Sequence, residues 1–168
     1  NSLFSNKNLR LGGSSELFKD FNTKFGDLSA IMIENLPFWV EITTTPSKKV
    51  SLMSEWESKL KAIVSVVKNE DVGSMTGVPS WMMVLLQRTL ADTGKETIAQ
   101  IWPNLEVFFH GGISFKPYRD QYRKIIGKDI NYYEIYNASE GFFAIQDQPG
   151  SDEMLLMLDY GIFYEFIP

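Results

Sequence analysis

The chain has 168 residues, 44% of them hydrophobic and 14% aromatic, enough apolar material for one domain with a substantial core, which excludes an unfolded chain. A net charge of −5 argues against a protein that grips phosphate backbones, so nucleic acid is not an expected partner. The absence of cysteine excludes disulfides, thiolate metal sites and a cysteine nucleophile and fits a cytoplasmic address; no apolar run approaches the roughly 20 residues that span a bilayer, so no membrane partner is expected.

Residues 12–15, Gly-Gly-Ser-Ser, read as a plain turn, because a phosphate loop would be followed by a lysine. Leu17, Phe18, Phe21 and Phe25 then recur at helical spacing over residues 16–25. Residues 28–34 are apolar enough for a strand that Asn35-Leu-Pro37 breaks. Residues 38–45 read as extended chain, with three threonines favouring β structure before Pro46. Ser54-Glu-Trp-Glu57 has the pattern of a capping box, and Trp56, Leu60, Ile63, Val64 and Val67 follow at helical spacing, predicting a helix over 54–69.

Gly73 to Gly77 reads as a loop, after which Pro79 opens a helix over 79–92 that stops near Gly94. A short buried strand over 105–109 delivers His110-Gly-Gly112, and Pro117 opens a helix over 117–126 that Gly127 ends. A strand over 132–136 runs into the polar corner Asn137-Ala-Ser-Glu-Gly141. Further strands are expected at 142–146, 154–158 and 162–167, the last two joined by a tight turn at Asp159-Tyr-Gly161.

Strand, loop, helix and strand between 105 and 136 make a βαβ unit, whose parallel strands bring the Gly-Gly turn and the Ser-Glu corner to one crevice. The predicted fold class is therefore α/β, with a partly parallel sheet and flanking helices. His110 is the single histidine, which excludes a metal site of several imidazoles, and no Gly-x-Ser-x-Gly elbow accompanies it. Its position beside a turn reads as structural. Arg119, Arg123, Lys124 and Lys128 form the one basic stretch and read as a solvated helix face.

Tyr136-Asn-Ala-Ser-Glu140 resembles the Tyr-x-x-Ser/Thr-Glu motif of the adenylate-forming acyl ligases, in particular the auxin-responsive family of acyl-acid amido synthetases. His110-Gly-Gly-Ile-Ser-Phe115 sits where that superfamily carries a Gly-Gly turn beneath adenine, and Gly77-Val-Pro-Ser-Trp-Met82 and Phe163-Tyr-Glu-Phe-Ile-Pro168 extend the likeness. The resemblance implies that residues 1–168 are a fragment from the central part of the adenylation domain. The phosphate loop would lie upstream, and the ribose-binding Asp and mobile C-terminal domain downstream.

It further implies ATP-dependent activation of a carboxylic acid as acyl-AMP, followed by transfer to an amino-acid acceptor, a reaction the fragment alone would not complete. Glu140 is then the magnesium ligand and Ser139 the hydroxyl at the α-phosphate. Gly111, Gly112, Ile113, Tyr136, Asn137 and Ala138 join Ser139 in binding ATP or AMP. Glycine suits the floor of such a site because any side chain would hold a planar base off the backbone. The alternatives are an acyl ligase that passes its acyl group to a thiol such as coenzyme A, and a non-catalytic ligand-binding or interaction domain.

Overall fold

The computed structural model describes residues 6–12 and 17–167. The turn expected at 12–15 falls outside these beyond Gly12, as does Glu16. A seven-stranded sheet organises the chain, in the order β4-β1-β5-β6-β7-β8-β9. Its strands are β1 (Lys7–Leu11), β4 (Thr44–Thr45), β5 (Val72–Gly77), β6 (Val107–Gly111), β7 (Asn131–Ala138), β8 (Gly141–Ile145) and β9 (Leu155–Leu156). The five strands from β4 through β7 are mutually parallel, and β8 and β9 close the far side antiparallel. The expected α/β class with a partly parallel sheet is thus observed.

Three helices cover one face: α4 (Trp56–Val67), α5 (Pro79–Thr93) and α6 (Arg119–Ile126). Register explains which residues meet them. Leu9, Met75, Phe108 and Tyr132 lie side by side across four strands. Because side chains alternate along a strand, all four point to the same face. Leu9, Met75 and Phe108 are fully buried there against Ile63, Leu85 and Tyr122. Burying each such side chain contributes about 1.5–3 kcal/mol. Trp102 lies in the same core and donates its indole N–H to the Val67 carbonyl at 2.9 Å, so its polar atom is satisfied.

The opposite face is more polar. Asn8 donates to the hydroxyls of Ser74 at 2.7 Å and Thr76 at 3.2 Å, linking β1 to β5, while Phe109 stacks on Tyr133.

The helix after Pro79 ends at Gly94 in the left-handed conformation, and the helix ending at Ile126 stops at Gly127 in the same way, as the sequence predicts. A short 3₁₀ turn over Lys116–Tyr118 precedes α6. The βαβ unit is present, with β6 and β7 parallel neighbours.

Several expectations are corrected. Residues 17–26 form a hairpin of β2 (Leu17–Asp20) and β3 (Thr23–Gly26), in which Phe18 stacks on Phe25 across the strands instead of lying along a helix. Residues 28–34 are helix α1 (Leu28–Glu34), burying Ala30 and Ile33 three residues apart. The extended chain expected at 38–45 is helix α2 (Phe38–Thr43) followed by β4, and a single turn, α3 (Lys48–Ser51), comes next. The Gly73–Gly77 loop is instead a central strand, whose small residues fit between β1 and β6 with Val72 to Met75 buried. Helix α4 is capped by Glu55, which accepts from the backbone N–H groups of Glu57 and Ser58, and not by Ser54. Within 154–167 only Leu155–Leu156 is strand, so the second hairpin does not form among the described residues.

Candidate functional site

A crevice opens at the carboxyl ends of β1, β5, β6 and β7, where ligands of parallel α/β sheets gather. It holds about 250 Å³, and its walls include Leu11, Thr76, Gly77, Gly111, Gly112 and Asn137.

Two of its glycines are demanded by the sheet itself. A Cβ on Gly77 would stand 2.8 Å from the Leu11 carbonyl oxygen on the neighbouring strand. One on Gly111 would collide with the carbonyl oxygen of Ile135 on β7. Gly112 has φ +81, a left-handed conformation that side chains disfavour, so the chain can turn sharply out of β6. These internal causes suffice to explain the Gly-Gly pair, and the resulting bare backbone forms the crevice floor.

Beyond Ile135 the strand β7 continues along the crevice. A bulge between Tyr136 and Asn137 shifts its pairing with β8, and the Asn137 amide oxygen lies 3.8 Å from the Cβ position of Gly111. The Gly-Gly turn and the first residue of the polar corner therefore meet. Ala138 pairs with Gly141, and Ser139 and Glu140 form the exposed turn between β7 and β8.

The other sequence-predicted residues lie outside the crevice wall. Ile113 follows the turn and is half-exposed; Tyr136 is exposed, with its ring 5.0 Å from that of Phe143 on β8. Ser139 and Glu140 lie in the turn where the chain reverses from β7 into β8, two and three residues beyond Asn137. Sequence reading missed Thr76 and Gly77 as part of the wall. Their run, Gly-Ser-Met-Thr-Gly, has the small residues of a loop, and only its place between β1 and β6 makes it a strand whose end reaches the crevice.

His110 is buried, 3% exposed, and stacks on Phe115 with centroids 4.1 Å apart. Burial, helped by the nearby Arg119 charge, lowers its pKa to about 4, so the imidazole is neutral at physiological pH. That environment agrees with the structural role expected of it.

No group of three or more acidic or histidine side chains that could hold a metal occurs among the described residues. A single carboxylate at an open rim still matches how magnesium is held, because that ion keeps several waters and takes its other ligands from substrate phosphates. Glu140 fits such a donor set. No helix among the described residues is long and apolar enough to cross a membrane.

Residues 13–130, more than half of the chain, match the GH3 family N-terminal domain. The chain belongs to the GH3 family. The family resembled by the sequence is this same one; the match includes the Gly-Gly turn and ends before the Tyr136–Glu140 motif. No curated protein matches the sequence. Among solved structures, the adenylation domain AlmE of Vibrio cholerae, in complex with glycyl-adenosine-5'-phosphate, aligns with a TM-score of 0.40 at 11% identity. The alignment covers 84% of the GH3 chain and 23% of that structure.

Proposed function

We propose that this GH3 chain is a central segment, residues 1–168, of the adenylation domain of an ATP-dependent acyl-acid amido synthetase. The observation that supports this most is the crevice at four parallel strand ends, in which Gly111, Gly112 and Asn137 meet beside the turn that carries Ser139 and Glu140.

The bare backbone of Gly111 and Gly112 gives the adenine of ATP a flat surface, and Asn137 offers it a side-chain amide. Tyr136, Ala138 and Ile113 border this position. Ser139 donates its hydroxyl to the α-phosphate, and Glu140 holds Mg²⁺ from the rim. That ion, when bound, neutralises charge growing on the leaving pyrophosphate. The substrate carboxylate attacks the α-phosphorus, the bond to pyrophosphate breaks, and an acyl-AMP forms. An amino group then attacks the acyl carbon and AMP leaves.

The test is acid-dependent exchange of labelled pyrophosphate into ATP by the full-length protein, with products identified by mass spectrometry. An acyl-amino-acid product supports the reading. A thioester formed from coenzyme A would assign the protein to the thiol-using ligases. Absence of exchange with every acid tried would leave a ligand-binding domain.

A further inference from the structure

Beyond β9 the chain returns to β8, although residues 157–167 form no strand. Tyr160 places its ring 6.1 Å from that of Phe142, and Tyr164 places its ring 6.4 Å from that of Phe143 while its hydroxyl donates to the Met157 carbonyl at 3.2 Å. Burial alternates along this strap: Ile162 and Tyr164 are half-buried, whereas Phe163 between them is 89% exposed. One side of it therefore faces β8 and the other faces solvent. Ile162 meets Gly141, where a Cβ would stand 2.7 Å from the Ile162 Cδ1 and 3.4 Å from its Cγ1. The isoleucine takes this place because residue 141 has no side chain.

Gly141 directly follows Glu140 and pairs with Ala138 across the turn, so the turn itself is only Ser139 and Glu140. Two-residue turns that match the twist of their flanking strands need a positive φ at the first or at both central residues. Neither residue has one, since Phe21 is the single non-glycine residue with positive φ among those described. The bulge between Tyr136 and Asn137 disturbs the ladder just before the turn as well. The geometry of this turn is thus not fixed by its own two residues, and Ile162 is a side chain from elsewhere that packs at its base.

We propose that Ile162 is a positioning residue, whose contact with Gly141 holds the turn between β7 and β8 so that the Glu140 carboxylate stays at the rim of the crevice. The inference rests on the role proposed above for Glu140 and adds the segment that supports it, the strap leading into the Phe163–Pro168 run. A side chain that only filled a gap would change stability alone. One that positions Glu140 changes the rate, and does so through Glu140: misplacing a reacting group by about 1 Å can cost about 10²-fold.

The experiment is pyrophosphate exchange by the full-length protein, with acid and magnesium varied separately. Ile162→Ala should lower kcat about ten-fold and raise the half-saturating magnesium concentration, with the KM for the acid unchanged. Ile162→Val, which removes only the Cδ1 that lies nearest Gly141, should move both in the same direction by less, and Ile162→Leu, which keeps the bulk, should restore most of the rate. Phe163→Ala, on the solvent side of the strap, should change neither. The deciding measurement repeats Ile162→Ala in the Glu140→Gln background. There it should alter the residual rate by no more than about two-fold, because a residue that acts through Glu140 has nothing left to position. Hydrogen exchange at the amides of residues 139–141 should also quicken in Ile162→Ala.

An unmodified rate in Ile162→Ala, or unchanged exchange at residues 139–141, overturns the proposal. So does an equal loss with Glu140 present and with Glu140→Gln, which would show that Ile162 acts on stability alone. Ile162→Val carries the same comparison if Ile162→Ala melts below the assay temperature. The two levels of the argument separate in one data set. Glu140→Gln at the unmodified rate sinks the reading of Glu140 and the proposal with it, whereas a full Glu140→Gln loss with an independent Ile162 effect overturns the proposal alone.

Discussion

The carbonyl oxygen of Ile135 occupies the space that a side chain on Gly111 would need. Two parallel strands approach there with nothing between them, and the crevice floor is this bare contact. Gly111→Ala should therefore part β6 from β7 and destabilise the protein by about 1–3 kcal/mol, the range for forced overpacking. Gly94→Ala, which meets nothing within 4 Å, pays only for its left-handed backbone. Urea denaturation of both variants checks the difference, and equal stability of Gly111→Ala and the unmodified protein would contradict the close approach.

Helix α4 offers a test of which residue caps it. Glu55 accepts hydrogen bonds at 2.9 Å from Glu57 and 2.6 Å from Ser58, and the bonds with Ser58, then that from Glu57, hold its carboxyl below the usual range. Glu55→Ala should lower the melting temperature by about 2–4 °C, and Ser54→Ala should leave it nearly unchanged. Since the folded Glu55 holds its proton less tightly than the unfolded one, the cap contributes above the ordinary carboxylate range and is lost as pH falls below it. The reverse order of the two variants would restore the capping box centred on Ser54.

His110 makes stability depend on pH in a separate window. Its pKa falls from the ordinary 6.5 to about 4 on folding, so between these values the unfolded chain binds a proton that the folded chain does not. Stability is therefore full above pH 6.5 and declines as pH drops toward 4, by up to about 3 kcal/mol. As the single histidine, it can be removed cleanly. Urea midpoints measured from pH 4.5 to 7.5 should fall with acidity in the unmodified protein. His110→Gln should flatten that slope, and a slope unchanged by the substitution would show that His110 is not its origin.

The parts legible in the sequence were those where one local signal had one physical outcome. Pro79 and Gly94 bound a helix because one cannot donate at its start and the other accepts a left-handed turn. Residues 28–34 failed because a seven-residue apolar run satisfies a strand or a short helix equally, and only the burial of Ala30 and Ile33 decides. Phe18 and Phe25 failed for a related reason: a spacing that suits one helical face also lets the rings stack across a hairpin, 5.6 Å apart.

The Gly73–Gly77 run looks like a loop in the sequence because its small residues answer to neighbouring strands that local sequence does not reveal. For the site, the Gly-Gly turn and Asn137 were legible because the βαβ unit places adjacent strand ends together. The contribution of Thr76 and Gly77 depended on the strand order.

The proposed adenylation depends on the charge carried by Glu140 in the turn between β7 and β8. Glu140→Gln keeps the side chain's shape and removes its charge. Pyrophosphate exchange by the full-length protein, with its best acid, should fall about 10²–10³-fold, the effect of losing about 3–4 kcal/mol of transition-state stabilisation. Ser139→Ala, which removes a neutral hydrogen bond, should cost less, and thermal melts of both should match the unmodified protein because both residues are exposed in a turn. Exchange by Glu140→Gln at the unmodified rate would contradict the account at its central residue.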